Sequence, residues 1–286
     1  MIGYLTRLLQ NKELKALVEN KTIVVKVGGS VIDKQRELLT DIVTLACAGA
    51  NLVIVHGGGP AINKALAEQG VPTTKIAGMR ITDDLALPVV SSVLSNISSE
   101  IASVLQASGL FAEGFSAPKK NILHVSKLLQ PTASGELVDI GWVGEVTSVD
   151  KSLLAEAMAQ GHIPVIAPLG IDSQGQVYNI HADHAAAAVA SALKADYLLL
   201  VTDVPGVLAS PSDPASVLHT VNHLVMKELM DTGVISGGML PKLSSCVSAL
   251  EHGVAQVHIL DGHGDRPLAM ALLAPGRWGT RIVRAA

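Results

Sequence analysis

Aromatic side chains are scarce in this chain: two Trp, three Tyr and two Phe among 286 residues. Base-stacking platforms and interfacial aromatic belts both need more, so single-stranded nucleic acid and a membrane surface are poor partner candidates. Excess positive charge is missing too, since 21 Lys and Arg face 25 Asp and Glu for a formal net charge of −4. A phosphodiester backbone would find no basic face. Cysteine occurs only at Cys47 and Cys246, without CxxC or ligand spacing, which predicts two small buried hydrophobes in a reducing compartment rather than a disulfide framework. No uninterrupted apolar run reaches the roughly 18 residues of a spanning helix, although 49% of residues are hydrophobic and mean hydropathy is +0.42. The opening MIGYLTRLLQNKELKALVENK is amphipathic with interspersed charges and has no apolar core before a small-residue cleavage site. The cytoplasm is therefore the expected compartment.

What is present is a rhythm. Continuous aliphatic runs at Thr22 to Val27, Asn51 to His56, His162 to Pro168, Tyr197 to Val201 and Gln256 to Leu260 lack alternation, as strands buried on both faces of a parallel sheet do. Between them, apolar residues recur at three- and four-residue spacing over Arg36 to Ala48, Pro60 to Gln69, Asp84 to Ser108, Lys151 to Gln160, Asp183 to Lys194 and Pro241 to His252. Strand then helix, repeated, predicts an α/β fold: an open three-layer αβα sandwich with a mainly parallel central sheet. Asn121 to Val149 breaks the rhythm, and two extended segments around Ser134-Gly135 predict a β-hairpin over one end of the sheet. The expected division is an N-terminal helix over 1–20, an N-terminal lobe over 21–175 and a C-terminal lobe over 176–286.

Glycine-rich turns follow the strands. Lys26-Val27-Gly28-Gly29-Ser30 and His56-Gly57-Gly58-Gly59-Pro60 sit at carboxyl ends of expected parallel strands, where open α/β sheets bind ligands. Glycine lets backbone N–H groups approach phosphate oxygens, and a helix N-terminus adds partial positive charge. Neither turn is a Walker loop or a GxGxxG fingerprint. Lys26 stands in an otherwise apolar strand, where an unpaired ammonium is costly, so it needs an anion. Lys242, in Gly237-Gly238-Met239-Leu240-Pro241-Lys242, opens a later helix from another glycine turn. Two such lysines, one from each lobe, could neutralise a transferring phosphoryl group. Asn179, His181 and Asp183 alternate along an extended segment onto one face, with Asp183 placed either to hold both ammoniums or to cap the Ala-rich helix after it. Arg80, in a loop of small residues, offers a fork for a carboxylate, and Thr202-Asp203-Val204-Pro205-Gly206 follows another strand end.

With KVGGS, HGGGP, GMRITD, GWVGEV, IPVIAPLG, NIHAD, LLLVTDVPGV and GGMLPK in this order, the chain resembles the amino acid kinase family from Thr22 to about Val283. Within that family it is most similar to the branch acting on N-acetyl-L-glutamate. The resemblance implies that the N-terminal lobe binds the acyl amino acid and dimerises. It also implies that the C-terminal lobe binds ATP, with Mg2+ held mainly by phosphates and water and no metal-ligating side chain, in arginine biosynthesis. Carried over by position, it makes Lys26 and Lys242 the lysines on the transferring phosphoryl and Asp183 their organiser. Gly58, Gly59, Arg80 and Asn179 would hold the acid. Gly28, Gly29, Thr202, Asp203, Gly206, Gly237, Gly238 and Met239 would hold the nucleotide. The implied assembly is a homodimer through the Asp84 to Ser108 helix, or a hexamer of the arginine-inhibited kind that also uses the apolar stripe Leu5, Leu8, Leu9, Leu14, Leu17 and Val18. The chain departs from the family pattern at Ser99-Glu100, at Ala117-Pro118-Lys119-Lys120 and at His181, where Asn is usual. A kinase for carrier-linked aminoadipate, a uridylate or carbamate kinase, and a non-catalytic sensor of nucleotide or amino acid remain as rivals.

Overall fold

A computed structural model describes residues 12–28, 36–131, 135–210, 212–213, 215–233, 235, 239–263 and 265–285. Its centre is strand β1 (Thr22–Val27), paired in parallel with β2 (Asn51–His56) on one side and with β11 (Tyr197–Thr202) on the other. The sheet extends from β2 through β8 (Ile163–Ile166) to β5 (Ala112–Phe115), and from β11 through β13 (Gln256–Asp261) to β14 (Thr280–Val283) and β12 (Thr220–Asn222). All these pairings are parallel except β13 with β14. The expected open αβα sandwich with a mainly parallel sheet is thus what the chain forms.

Side chains alternate across the sheet, and each face carries its own core. Val24, Val53, Val55, Leu198 and Leu200 pack under helix α6 (Ala182–Leu193) and helix α8 (Met239–Glu251). Ile23, Val25, Val27, Ile54 and Leu199 face the opposite layer, formed by α1 (Lys12–Val18), α2 (Arg36–Cys47), α4 (Ala86–Ala107) and α9 (Pro267–Leu273). The alanines of α6 bring that helix close to the sheet, with Ala185, Ala186 and Ala190 fully buried. In α1, Leu14 and Val18 bury among Leu38, Ile42 and Leu268 of the same chain, while Leu5, Leu8 and Leu9 lie outside the described residues.

Helix α4 is the one described helix long and apolar enough by length and composition to cross a membrane, with a mean hydropathy of 1.2. One side of it lies on the sheet through Ile97, Ile101 and Leu105 and meets Ile62 and Leu66 through Val90 and Leu94; the other carries Ser92, Asn96, Ser99 and Ser103. The expected hairpin forms from β6 (Leu123–Pro131) and β7 (Leu137–Val149), with Gly135 at φ +83° in the turn and Ser134 outside the described residues. It closes with β9 (Leu169–Ile171) and β10 (Val177–Asn179) into a small barrel at one end of the sheet. Beside it lie helix α3 (Gly59–Glu68) and a two-strand ribbon, β3 (Lys75–Ile76) and β4 (Met79–Arg80), whose Met79 packs on Ile140 and Val143 of β7.

One packing expectation is corrected. Cys246 is buried, but Cys47 is exposed, because it is the last residue of α2 and turns away from the sheet.

Candidate active site

The carboxyl ends of β1, β2 and β11 open into a cleft of about 660 Å³, within the range of small-molecule sites. The N-termini of α3, α6 and α8 border it through Gly59, Asp183 and Lys242, each contributing partial positive charge.

Lys26 reaches the cleft by parity. It stands two residues after Val24, on the face covered by α6, and the first turn of α6 carries Asp183. Helix α8 runs beside α6, and its first turn delivers Lys242 to the same carboxylate. Lys242 Nζ donates to Asp183 Oδ2 at 2.7 Å, and Lys26 Nζ forms an ion pair with Oδ1 at 2.9 Å. The three side chains are only 12%, 14% and 4% exposed for Lys242, Lys26 and Asp183. Burial alone would raise the Asp183 carboxyl, but the two ammoniums outweigh it and hold Asp183 well below the usual carboxylate range. The capping alternative for Asp183 is corrected: His181 occupies the N-cap, with no side-chain cap bond, and Asp183 lies inside the first turn. His181 lines the cleft with Nδ1 buried and unpartnered, and burial pushes its ring down to about 4, so it is neutral at pH 7.

On the side of α3 and the hairpin, Arg80 is buried and stands in a strand rather than in a loop. It belongs to β4, is 7% exposed, and donates through Nη1 to Thr73 Oγ1 and through Nη2 to Asn63 Oδ1. Burial lowers its pKa. Asn179, at the end of β10, faces the same space. Gly58 is the N-cap of α3, and a Cβ there would fall 2.8 Å from Leu94 Cδ2, whereas Gly59 has open space beside it. Beneath this turn His56 is buried, with Nδ1 3.0 Å from the Gly57 carbonyl and its ring pushed by burial to about 4.

On the opposite side, Gly28, Thr202 and Asp203 line the cleft. Gly206 and Met239 are not among its lining residues. Gly206, at φ +151°, leaves room for Thr280 Oγ1, which accepts from Val207 N at 2.8 Å, and Met239 packs partly buried against the α6 core. Gly29, Gly237 and Gly238 lie outside the described residues. Sequence reasoning passed over His263, which lines the cleft beyond the end of β13, although the strand-end rule applied to β1, β2 and β11 also points there. It passed over Thr82 as well, whose importance lies in tertiary hydrogen bonds.

Among the described residues, no group of three or more His, Cys, Asp or Glu side chains is placed to hold a metal ion, and Asp183 is already occupied by two ammoniums. The described residues therefore offer no protein cage for a metal ion. The arrangement suits a polyanion entering over glycine N–H groups and a carboxylate held by a buried guanidinium, both meeting at the lysine pair.

The family model described as amino acid kinase family matches residues 21–261. Acetylglutamate kinase of Desulforamulus reducens is 38% identical over 266 residues, covering 92% of this chain and 91% of that protein. Acetylglutamate kinase of Carboxydothermus hydrogenoformans is 39% identical, covering 92% of each. Among solved structures, smu.665 of Streptococcus mutans superposes with a TM-score of 0.77 at 34% identity, covering 92% of this chain and 99% of that one. N-acetylglutamate synthase of Neisseria gonorrhoeae gives a TM-score of 0.83 at 24% identity over all of this chain and 64% of that one, a likeness of fold.

Proposed function

The chain belongs to the amino acid kinase family, and from that premise we propose that it transfers the terminal phosphoryl of ATP to the side-chain carboxylate of N-acetyl-L-glutamate. Relatives named acetylglutamate kinase, matched over nearly their whole length, support the choice of acid. The observation that carries the reading is the pair of ammoniums on Asp183, set between the buried Arg80 and the Thr202-Asp203 turn.

In this mechanism Arg80 grips the α-carboxylate of the acid, and Asn179 and the Gly58-Gly59 backbone complete its site. The nucleotide phosphates lie along Gly28 and the turns opposite. Residues 21–175 hold the acid and residues 176–286 the nucleotide, with Asn179 and Gly28 each reaching across. The acceptor carboxylate is ionised at neutral pH, so no general base is needed. One of its oxygens attacks the γ-phosphorus in line, the bond to the β-phosphate oxygen breaks, and acyl phosphate and ADP result. Lys26 and Lys242 spread positive charge over the transferring group, and Asp183 keeps both in place. Magnesium, carried in on phosphate oxygens and water, would supply further neutralisation of the phosphate charge.

A cytoplasmic homodimer packed through the outward face of α4 is the assembly we propose, and analytical ultracentrifugation measures it. The activity is tested by incubating the protein with Mg·ATP and N-acetyl-L-glutamate and trapping the acyl phosphate with hydroxylamine. Hydroxamate formation is expected; its absence, with ADP release equally missing, refutes the reading.

A further inference from the structure

Thr82 is fully buried between the two residues assigned to the acid. Its hydroxyl donates to the Arg80 backbone carbonyl at 3.1 Å and meets Asn179 Nδ2 at 3.1 Å. This relay has one polarity. A hydroxyl owns a single hydrogen, and here that hydrogen goes to a carbonyl, which can only accept. Toward Asn179 the Thr82 oxygen can then act only as an acceptor. The carboxamide must turn its NH2 group to Thr82, leaving Oδ1, which has no side-chain or backbone partner among the described residues, on the side of the cleft that Asn179 lines.

The relay is also held in place from outside. Thr82 N donates to the Ile140 carbonyl at 3.0 Å, and Trp142 N donates to the Thr82 carbonyl at 2.6 Å, joining the residue to β7. Gly141 between them sits at φ +78°, and a Cβ there would collide with the Thr82 carbonyl. Trp142 Nε1 closes the joint from the far side by donating to Asp84 Oδ1 at 2.7 Å.

We propose that Thr82 is a positioning residue that sets acceptor specificity. Through Asn179 it presents a hydrogen-bond acceptor, and so selects acids whose α-nitrogen carries an N–H, as the amide of an acylated amino acid does. An isostere with an acceptor atom in that place would face Oδ1 lone pair to lone pair. The inference rests on the acetylglutamate reading of the cleft and deepens it.

The test compares N-acetyl-L-glutamate with 2-acetoxyglutarate, in which an ester oxygen replaces the N–H, under saturating ATP. The wild type should favour the amide by about tenfold or more in kcat/KM, the cost of a polar pair turned repulsive. Thr82→Val keeps the shape and removes the hydroxyl, so the carboxamide can turn over, and the preference should shrink to about threefold or less with KM for ATP unchanged. Thr82→Ser should restore the preference. A merely structural role would lower turnover of both acids alike and leave their ratio intact, which overturns the proposal. Equal use of both acids by the wild type overturns it too, whether or not Thr82→Val folds. If neither acid yields hydroxamate, the kinase reading fails by itself. Calorimetric titration of the two acids into wild-type protein then still judges Thr82, with equal affinities overturning its role.

Discussion

Replacing Asp183 by Asn keeps the number of non-hydrogen atoms in the side chain and removes one negative charge between two buried positive ones. Lys26 and Lys242 approach its oxygens to 2.9 and 2.7 Å. Without the carboxylate the two ammoniums repel each other, a term of up to about 4 kcal/mol for unit charges roughly 4 Å apart at an effective dielectric constant near 20. Breaking a buried ion pair from one side costs roughly 3–5 kcal/mol overall. That is a large share of a typical folding stability of about 5–15 kcal/mol, and it should lower the thermal midpoint by roughly 10 °C. The same loss should reduce hydroxamate formation about a hundredfold or more, since the lysines are no longer held for the phosphoryl group. The assay is thermal unfolding followed by circular dichroism, with and without inorganic tripolyphosphate. The polyanion should raise the Asp183→Asn midpoint more than the wild-type midpoint, because it supplies the missing negative charge. An unchanged midpoint without tripolyphosphate, or an equal rise in both proteins with it, refutes the electrostatic account. In the wild type, the sign of the Asp183 shift makes its contribution fully present above the unfolded carboxylate value of about 4, and lost as pH falls through the lower folded value.

Other outcomes follow from the same geometry. Arg80→Ala should raise KM for the acid and leave KM for ATP alone; equal effects on both would place Arg80 elsewhere. Gly141→Ala forces a Cβ into the Thr82 carbonyl at a positive φ, and should likewise raise KM for the acid, read in the hydroxamate assay. Asp41 accepts from Leu268 N at 2.7 Å and pairs with the buried Arg266 at 2.9 Å, so Asp41→Asn should lower the midpoint of denaturant unfolding. The expected loss is about 3 kcal/mol, and a loss within error would show that the pair is not coupled to α9. His56 and His258 are both pushed by burial to about 4, so the unfolded chain, with imidazoles near 6.5, takes up protons first as pH falls. His181 and His184 are lowered by burial as well, so stability should drop between about pH 6.5 and 4 with a slope reporting up to four protons, and a flat profile across that window refutes the assignment.

The parallel core was legible because β-branched runs without alternation leave few options, and the cores on both faces of β1 bear that out. Lys26 was legible for the same reason, as an ammonium inside an apolar strand demands an anion. Short elements were not. Strands β9, β10, β12 and β14 have three or four residues each, too few for a period to register, and their stability comes from ladders with distant segments. Helix α9 escaped because its N-terminus is closed by Asp41 from α2, a partner far away in the chain, rather than by a local capping residue. The burial of Arg80 in a strand was not legible, because Thr73 and Asn63, which bury it, come from the α3–β3 connection and α3 itself. Cys47 read as buried because composition says nothing about which way the last turn of a helix points.

The pairing of β1 with β2 along one edge and β11 along the other has a mechanical side. Both reactants stand on one ladder of backbone bonds, so the halves cannot swing apart like book covers without shearing it. Traffic in and out of the cleft is left to whatever overhangs the ladder, namely the β6–β7 hairpin and the β3–β4 ribbon, each resting on a few bonds at its base. The two overhangs are themselves tied together, since Thr82 just past the ribbon bonds to Ile140 and Trp142 of the hairpin, so a movement of one at this mouth would carry the other with it.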